Sequence, residues 1–144
     1  MHKYSNSIIL PFSSIELYEV VIDVEAYPEF LPWCLSAKII KKIDNNNFDA
    51  ELKVGYKAID EKYISRIRAK YGEKINSKAI SGPFKVLDST WIFTDSGKKK
   101  CNVEFMIEYE FKSFFLDKVM GSLFKKATIK MLDAFEQRAR YLYT

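Results

Sequence analysis

The sequence predicts an α+β domain in which one long C-terminal helix lies across the dry face of a strongly curved antiparallel sheet. Three observations predict it: a capped amphipathic helix opening at Ser14, a run of period-two stretches between Leu35 and Phe111, and a return to helical period from Phe114. The 144 residues suit a single domain spanning 1–144. With 48% apolar and 15% aromatic residues, the chain can build a sizeable core, which excludes disorder.

Tyr4 to Leu10 alternates loosely and reads as a first strand. At Phe12-Ser13-Ser14-Ile15-Glu16-Leu17, Ser13 is placed to cap a helix, Glu16 to close a capping box, and Phe12 with Leu17 to form a hydrophobic staple. The helix then runs from Ser14 with Leu17, Val20, Val21 and Val24 inward, and ends near Glu25, because Tyr27 precedes Pro28. Ala26 to Cys34 is a short, irregular, apolar elbow with two prolines. From Leu35 the period is two. Phe48, Ala50, Leu52, Val54 and Tyr56 alternate with the wet positions Asp49, Glu51, Lys53 and Lys57. Ile59 to Tyr71 is the next strand, with Arg66, Arg68 and Lys70 outward. Gly72 turns it, Lys74 to Ile80 returns, and Ser81-Gly82-Pro83 breaks the chain. Leu87, Trp91 and Phe93 share a dry face, Asp95-Ser96-Gly97 turns, and Val103, Phe105, Ile107, Tyr109 and Phe111 alternate with glutamates. That makes about seven strands. Ser113 is placed to cap a final helix from Phe114 to about Tyr141, whose stripe is Leu116, Met120, Leu123, Phe124, Ala127, Met131, Ala134 and Phe135. A rod of that length reaches about 42 Å at 1.5 Å per residue.

The inward parity also collects Ala50, Ser65, Ala69, Ser77, Ala79 and Ser89, facing Ala127 and Ala134 on the helix. Either the surrounding Phe, Tyr and Met side chains fill the space these small residues leave, or the dry face holds a cavity with sparse hydroxyls suited to an apolar ligand. Phe30, Leu31 and Trp33 in the elbow form either a lip or membrane-dipping patch at that cavity, or a plug at the sheet edge. Glu61 has inward parity, where its position near a strand end favours a solvated carboxylate.

Cys34 and Cys101 are too few for a disulfide framework, and with His2 the only histidine no metal site is expected; the two thiols point to a reducing compartment. Cys34 has no evident base and reads as a small buried hydrophobe. The polar N-terminus and the short apolar run from Ile8 to Phe12 fit no signal peptide or span. The expectation is a cytoplasmic chain whose membrane contact is peripheral. The net charge of +4 is mild; Lys98, Lys99 and Lys100 in a turn and Lys125, Lys126 and Lys130 on the helix can face anionic lipid or RNA phosphates, or simply water. Basic residues comprise 19 Lys and only 4 Arg, which tilts against dedicated nucleic-acid readout and against DNA as a partner. No phosphate loop, dinucleotide fingerprint or nucleophile elbow is present.

Tyr27-Pro28-Glu29-Phe30-Leu31-Pro32-Trp33-Cys34, then Gly82-Pro83-Phe84-Lys85, then Phe105-Met106-Ile107-Glu108-Tyr109-Glu110-Phe111-Lys112-Ser113 together resemble the coenzyme Q-binding COQ10 family. That family includes the bacterial RatA toxins and belongs to the START, or helix-grip, superfamily. The resemblance spans nearly the whole chain. It implies a helix-grip (START, Bet v 1-like) fold, a non-catalytic ubiquinone-binding role supporting respiration, and peripheral association with the inner membrane. Phe30, Leu31 and Trp33 would then be ligand contacts at the mouth, Phe84, Trp91, Phe93 and Phe105 walls from the strands, and Met120, Leu123 and Ala127 walls from the helix. The ring carbonyls would need one or two donors, offered by Ser77, Ser89, Tyr63 or Tyr109. Ubiquinone would be a bound ligand, with no catalytic residue, metal or other cofactor. The alternative implied by the same family is a RatA-type protein that associates with the 50S subunit and blocks subunit joining. A cyclase would want an acid or base in the cavity, for which only Glu61 and the tyrosines stand.

Overall fold

The structure is a computed structural model that describes residues 1–56 and 59–144; the outward position expected for Lys57 lies outside the described residues. Strand β1 (His2–Leu10) leads into helix α1 (Ser14–Ile22) and a 3-10 helix (Val24–Glu29). Six strands follow: β2 (Cys34–Asp44), β3 (Asn47–Tyr56), β4 (Ile59–Lys70), β5 (Lys74–Ser81), β6 (Phe84–Gly97) and β7 (Lys100–Phe111); helix α2 (Phe114–Tyr143) ends the chain. The seven strands form one antiparallel sheet in the order β1-β7-β6-β5-β4-β3-β2, so β2 to β7 are a continuous meander and β1 adds to β7. Register shifts interrupt the β2–β3, β4–β5 and β6–β7 ladders, and such bulges bend strands and raise their twist.

Helix α1 starts as the capping box dictates: the Ser13 hydroxyl accepts from the Glu16 N–H at 3.2 Å and Glu16 accepts from the Ser13 N–H at 2.9 Å. Asp95 of β6 adds long-range anchors, accepting from the Ser14 N–H at 3.0 Å and its hydroxyl at 3.1 Å. The α-helix is shorter than the expected run to Glu25. It stops at Ile22, and the elbow contains a 3-10 helix that carries Pro28 inside it. Pro28 has no N–H to donate, and the turns around it are held by the Ala26 N–H on the Asp23 carbonyl and the Phe30 N–H on the Tyr27 carbonyl, both at 3.2 Å. The β6–β7 turn also sits later than expected. Gly97 pairs with Lys100, so Lys98 and Lys99 form the loop, with Lys99 at φ 52° and Gly97 at φ 139°. At Gly82, φ is 109° and an added Cβ would lie 2.5 Å from the Tyr63 Cβ, so only glycine permits this close approach of chains.

Helix α2 opens at Ser113, whose hydroxyl accepts from the Leu116 N–H at 3.1 Å. Asp117 in its first turn accepts from the Phe111 N–H at 2.9 Å and pairs with His2 Nε2 at 3.1 Å; the Phe111 bond, then His2, holds its carboxyl below the ordinary range. Beyond this end, Met120, Ala127, Phe135 and Ala139 are buried against the sheet and α1. Asp49 has the outward parity expected but is buried. Arg66, paired with it across β3–β4, donates from Nε at 3.1 Å and from a terminal nitrogen at 3.2 Å, covering it together with Arg68. The Arg66 hydrogen bonds hold the Asp49 carboxyl below its ordinary range.

Because folding lowers the Asp49 pKa, its stabilisation is complete above the unfolded value near about 4 and drains away as pH falls through the folded one. Asp49→Asn is expected to cost about 1–2 kcal/mol at pH 7 and much less at pH 3. Urea unfolding at the two pH values checks this; an equal loss at both would show that the charge carries none of it.

Candidate functional site

Between the concave face of β3 to β7 and helix α2 lies a cavity of about 160 Å³. Val21, Val24 and Tyr27 line its α1 end, Trp33 and Tyr56 its other end, and Met120, Phe124, Ala127, Thr128 and Met131 the helix side. The small inward residues therefore leave the space open. Ser65, Ser77 and Ser89 form a band across β4, β5 and β6: Ser77 faces Ser89 in register, and the Ser65 and Ser77 hydroxyls are hydrogen-bonded to each other. That pair uses one of its two hydroxyl hydrogens internally and keeps the other to offer.

The sequence-expected contacts divide. Trp33, Tyr63, Ser77, Phe84, Ser89, Trp91, Phe105, Met120 and Ala127 line the cavity. Five others do not. Leu31 is buried in the core, and Phe30 packs edge-on against Tyr27 and Phe135 with the Arg138 guanidinium 5.2 Å above it, so these two plug rather than form a lip. Phe93 packs against Tyr18 and faces a second cavity. Leu123 is partly buried beside the Phe84–Phe111 cluster. Tyr109 stacks on Phe124 at 3.9 Å and donates its hydroxyl to the Gly121 carbonyl at 2.9 Å, which takes it out of reach as a ring donor. Sequence reasoning left Tyr27, Tyr56, Phe124 and Phe135 out of the site. Phe124 and Phe135 were visible in the helix stripe and Tyr56 in the inward alternation of β3; Tyr27, in the irregular elbow, had no periodic signal.

The electrostatics of the cavity are simple, because among the described residues no charged side chain lines it. Burial raises the Tyr27 and Tyr63 hydroxyls far above their usual range, so both are neutral. The Tyr27 hydroxyl donates to the Val21 carbonyl. Among the described residues the hydroxyls of Ser89 and Tyr63 have no protein partner, and with the spare hydrogen of the Ser65–Ser77 pair they are donors open to a guest. Glu61 is exposed at the end of β4, as a solvated strand-end carboxylate should be, and does not line the cavity. Cys34 is buried, its thiol pushed up to about 11 by desolvation. Among the described residues no three His, Cys, Asp or Glu side chains converge to hold a metal ion, and no helix is long and apolar enough to cross a membrane.

A helix gripped by a curved sheet over an apolar cavity is the architecture the motifs implied, and the family model described as polyketide cyclase/dehydrase and lipid transport matches residues 10–136. The chain belongs to that family. It is 39% identical over 144 residues, 97% of each chain, to a Rickettsia prowazekii protein named ribosome association toxin RatA. It is also 37% identical over 131 residues, 89% of this chain and 64% of the other, to a mitochondrial protein of Dictyostelium discoideum named coenzyme Q-binding protein COQ10. Both names describe association or binding rather than a reaction. A START superfamily protein from Mycobacterium smegmatis shares the fold, with a TM-score of 0.85 at 18% identity over 99% of both chains.

Proposed function

We propose that this protein binds ubiquinone or a related isoprenoid lipid without chemical change, holding the ring in the cavity between sheet and α2 in support of respiratory electron transport. The observation that carries the reading is a cavity walled by apolar side chains, whose only polar groups among the described residues are neutral hydroxyls, two Trp indoles and backbone. Such a wall can desolvate a ring and donate to its carbonyls, but it holds no carboxylate, amine or imidazole to move a proton. At about 160 Å³ the space matches an apolar cavity of about 150 Å³ that takes up benzene, which is room for a ring and not for a prenyl chain. Organic extraction of the purified protein followed by mass spectrometry, before and after incubation with ubiquinone, tests the reading; repeated absence of any quinone or lipid would sink it. Ala127→Trp, which fills the cavity from the helix side, is expected to lower uptake at least tenfold while leaving the chain folded.

Delivery of such a guest calls for membrane contact, and the exposed surface suggests its place. Phe114 and Phe115 are 84% and 75% exposed at the start of α2, flanked by the exposed Lys112 and Lys118. Trp33 is only partly exposed, and its neighbours Phe30 and Leu31 are committed to the core, so the foothold belongs to the Phe pair rather than the elbow. Two phenylalanines beside lysines suit the interface of an anionic bilayer on its cytoplasmic side. In co-sedimentation with vesicles containing one-third anionic lipid, the double variant Phe114→Ser, Phe115→Ser is expected to lose most binding with unchanged thermal stability. Undiminished binding would move the foothold elsewhere.

A second reading, ribosome association, is favoured by the whole-length likeness to the RatA-named relative and by Lys125, Lys126 and Lys130, all exposed on α2. It predicts that the protein travels with 50S particles in a lysate gradient and leaves them as salt rises. Remaining at the top of the gradient at low salt would dismiss it.

A further inference from the structure

A second cavity, of about 190 Å³, lies on the other side of α2 between that helix, β1 and α1. Only one layer of side chains separates it from the first, because Val21, Trp91, Phe105 and Phe135 line both. Phe135 is the centre of this partition. Its ring makes edge contacts with Trp91 at 5.1 Å and with Tyr27 and Phe30 at 5.3 Å each, all apolar and none fixing it by a hydrogen bond. The helix above is equally unpinned. Between the Tyr109–Gly121 bond and the Arg138–Glu29 pair, no hydrogen bond or ion pair among the described residues ties α2 to the sheet. The stretch that roofs both cavities is seated by apolar contact alone, which yields to a guest more readily than hydrogen bonds do.

The two cavities differ in chemistry. The first has hydroxyls in its wall; the second has a buried lining of Leu, Val and Phe side chains with the shared Trp91, and its other polar side chains among the described residues are the exposed Asn6 and Asp133 and the partly exposed Tyr4 and Glu136. It opens toward solvent between Ile8 and Ile129, which are 43% and 47% exposed. Hydrocarbon suits its buried part, where no hydroxyl band like that of the first cavity stands. The first cavity, in turn, has room for a ring and lacks room for a chain.

We propose that the two cavities are the head and tail compartments of one site, with Phe135 as a movable partition: the ring stays against the serine band while the prenyl chain passes the displaced Phe135 and runs out between β1 and α2. This rests on the lipid-binding reading above and assigns the second cavity to the same ligand.

Equilibrium dialysis with two probes, a benzoquinone carrying one prenyl unit and one carrying three, tests it. The wild-type chain is expected to hold the longer probe at least tenfold more tightly, because each buried methylene adds to affinity. Leu132→Trp, which fills the second cavity, is expected to keep affinity for the short probe within twofold and to abolish the preference for the long one. Ile129→Trp, at the exposed outer end, is the companion where a buried tryptophan disturbs folding, with the same expected loss of preference. Phe135→Leu, which trims the partition itself, is expected to speed uptake of the long probe more than that of the short one. A tail preference retained in both tryptophan variants overturns the two-compartment site and leaves the quinone reading standing. Failure of wild-type protein to bind either probe overturns the quinone reading itself.

Discussion

One helix has to cover the concave face of a seven-stranded sheet, and the mismatch between those two surfaces governs everything else. A sheet with one dry face must bury it, and the chain supplies α2 and the short α1 for the purpose. A helix about 10 Å across cannot fill the bowl that bulged, twisted strands create. The remainder is made up by rings from both sides, and where the strands present serine and the helix presents Ala127 instead of rings the bowl stays open. The cavity is thus a product of which inward positions were left small, not of a separate binding module.

That origin explains its electrostatics. Inward positions of a meander are apolar by the same alternation that sends Asp49, Arg66 and Arg68 to the outer face, where they neutralise one another. Groups that titrate therefore gather outside, and the interior keeps hydroxyls that burial holds in their neutral forms. What such an interior does well is select a guest by shape and by one or two accepted hydrogen bonds. Its relatives named for binding and for association fit that economy of groups.

Much of this was legible in the residues. The Ser13–Glu16 capping box, the period-two runs and the stripe on α2 are local signals, and each placed its element. The band of Ser65, Ser77 and Ser89 followed from parity alone. What escaped depended on contacts distant in sequence. Pro28 looked like a stop, yet the chain coils past it in a 3-10 helix that packs against β2. Phe30 and Leu31 looked available for a lip, but Phe30 is claimed by Phe135 and Arg138, more than a hundred residues away, and Leu31 by the core. Tyr109 looked like a ring donor, but its hydroxyl already donates to the Gly121 carbonyl of α2. Phe114 and Phe115 read as ordinary helix residues; only the folded chain shows that nothing in it covers them.

The two thiols give the interior a last property. Cys34 and Cys101 are both free and buried, and desolvation pushes each up to about 11. At neutral pH they remain in the protonated, poorly nucleophilic form. Electron-poor rings are prone to conjugate addition by thiolates, so under the proposed quinone reading a reactive sulfur in the core would be modified by the ligand. This core offers such a passenger no sulfur anion to attack it.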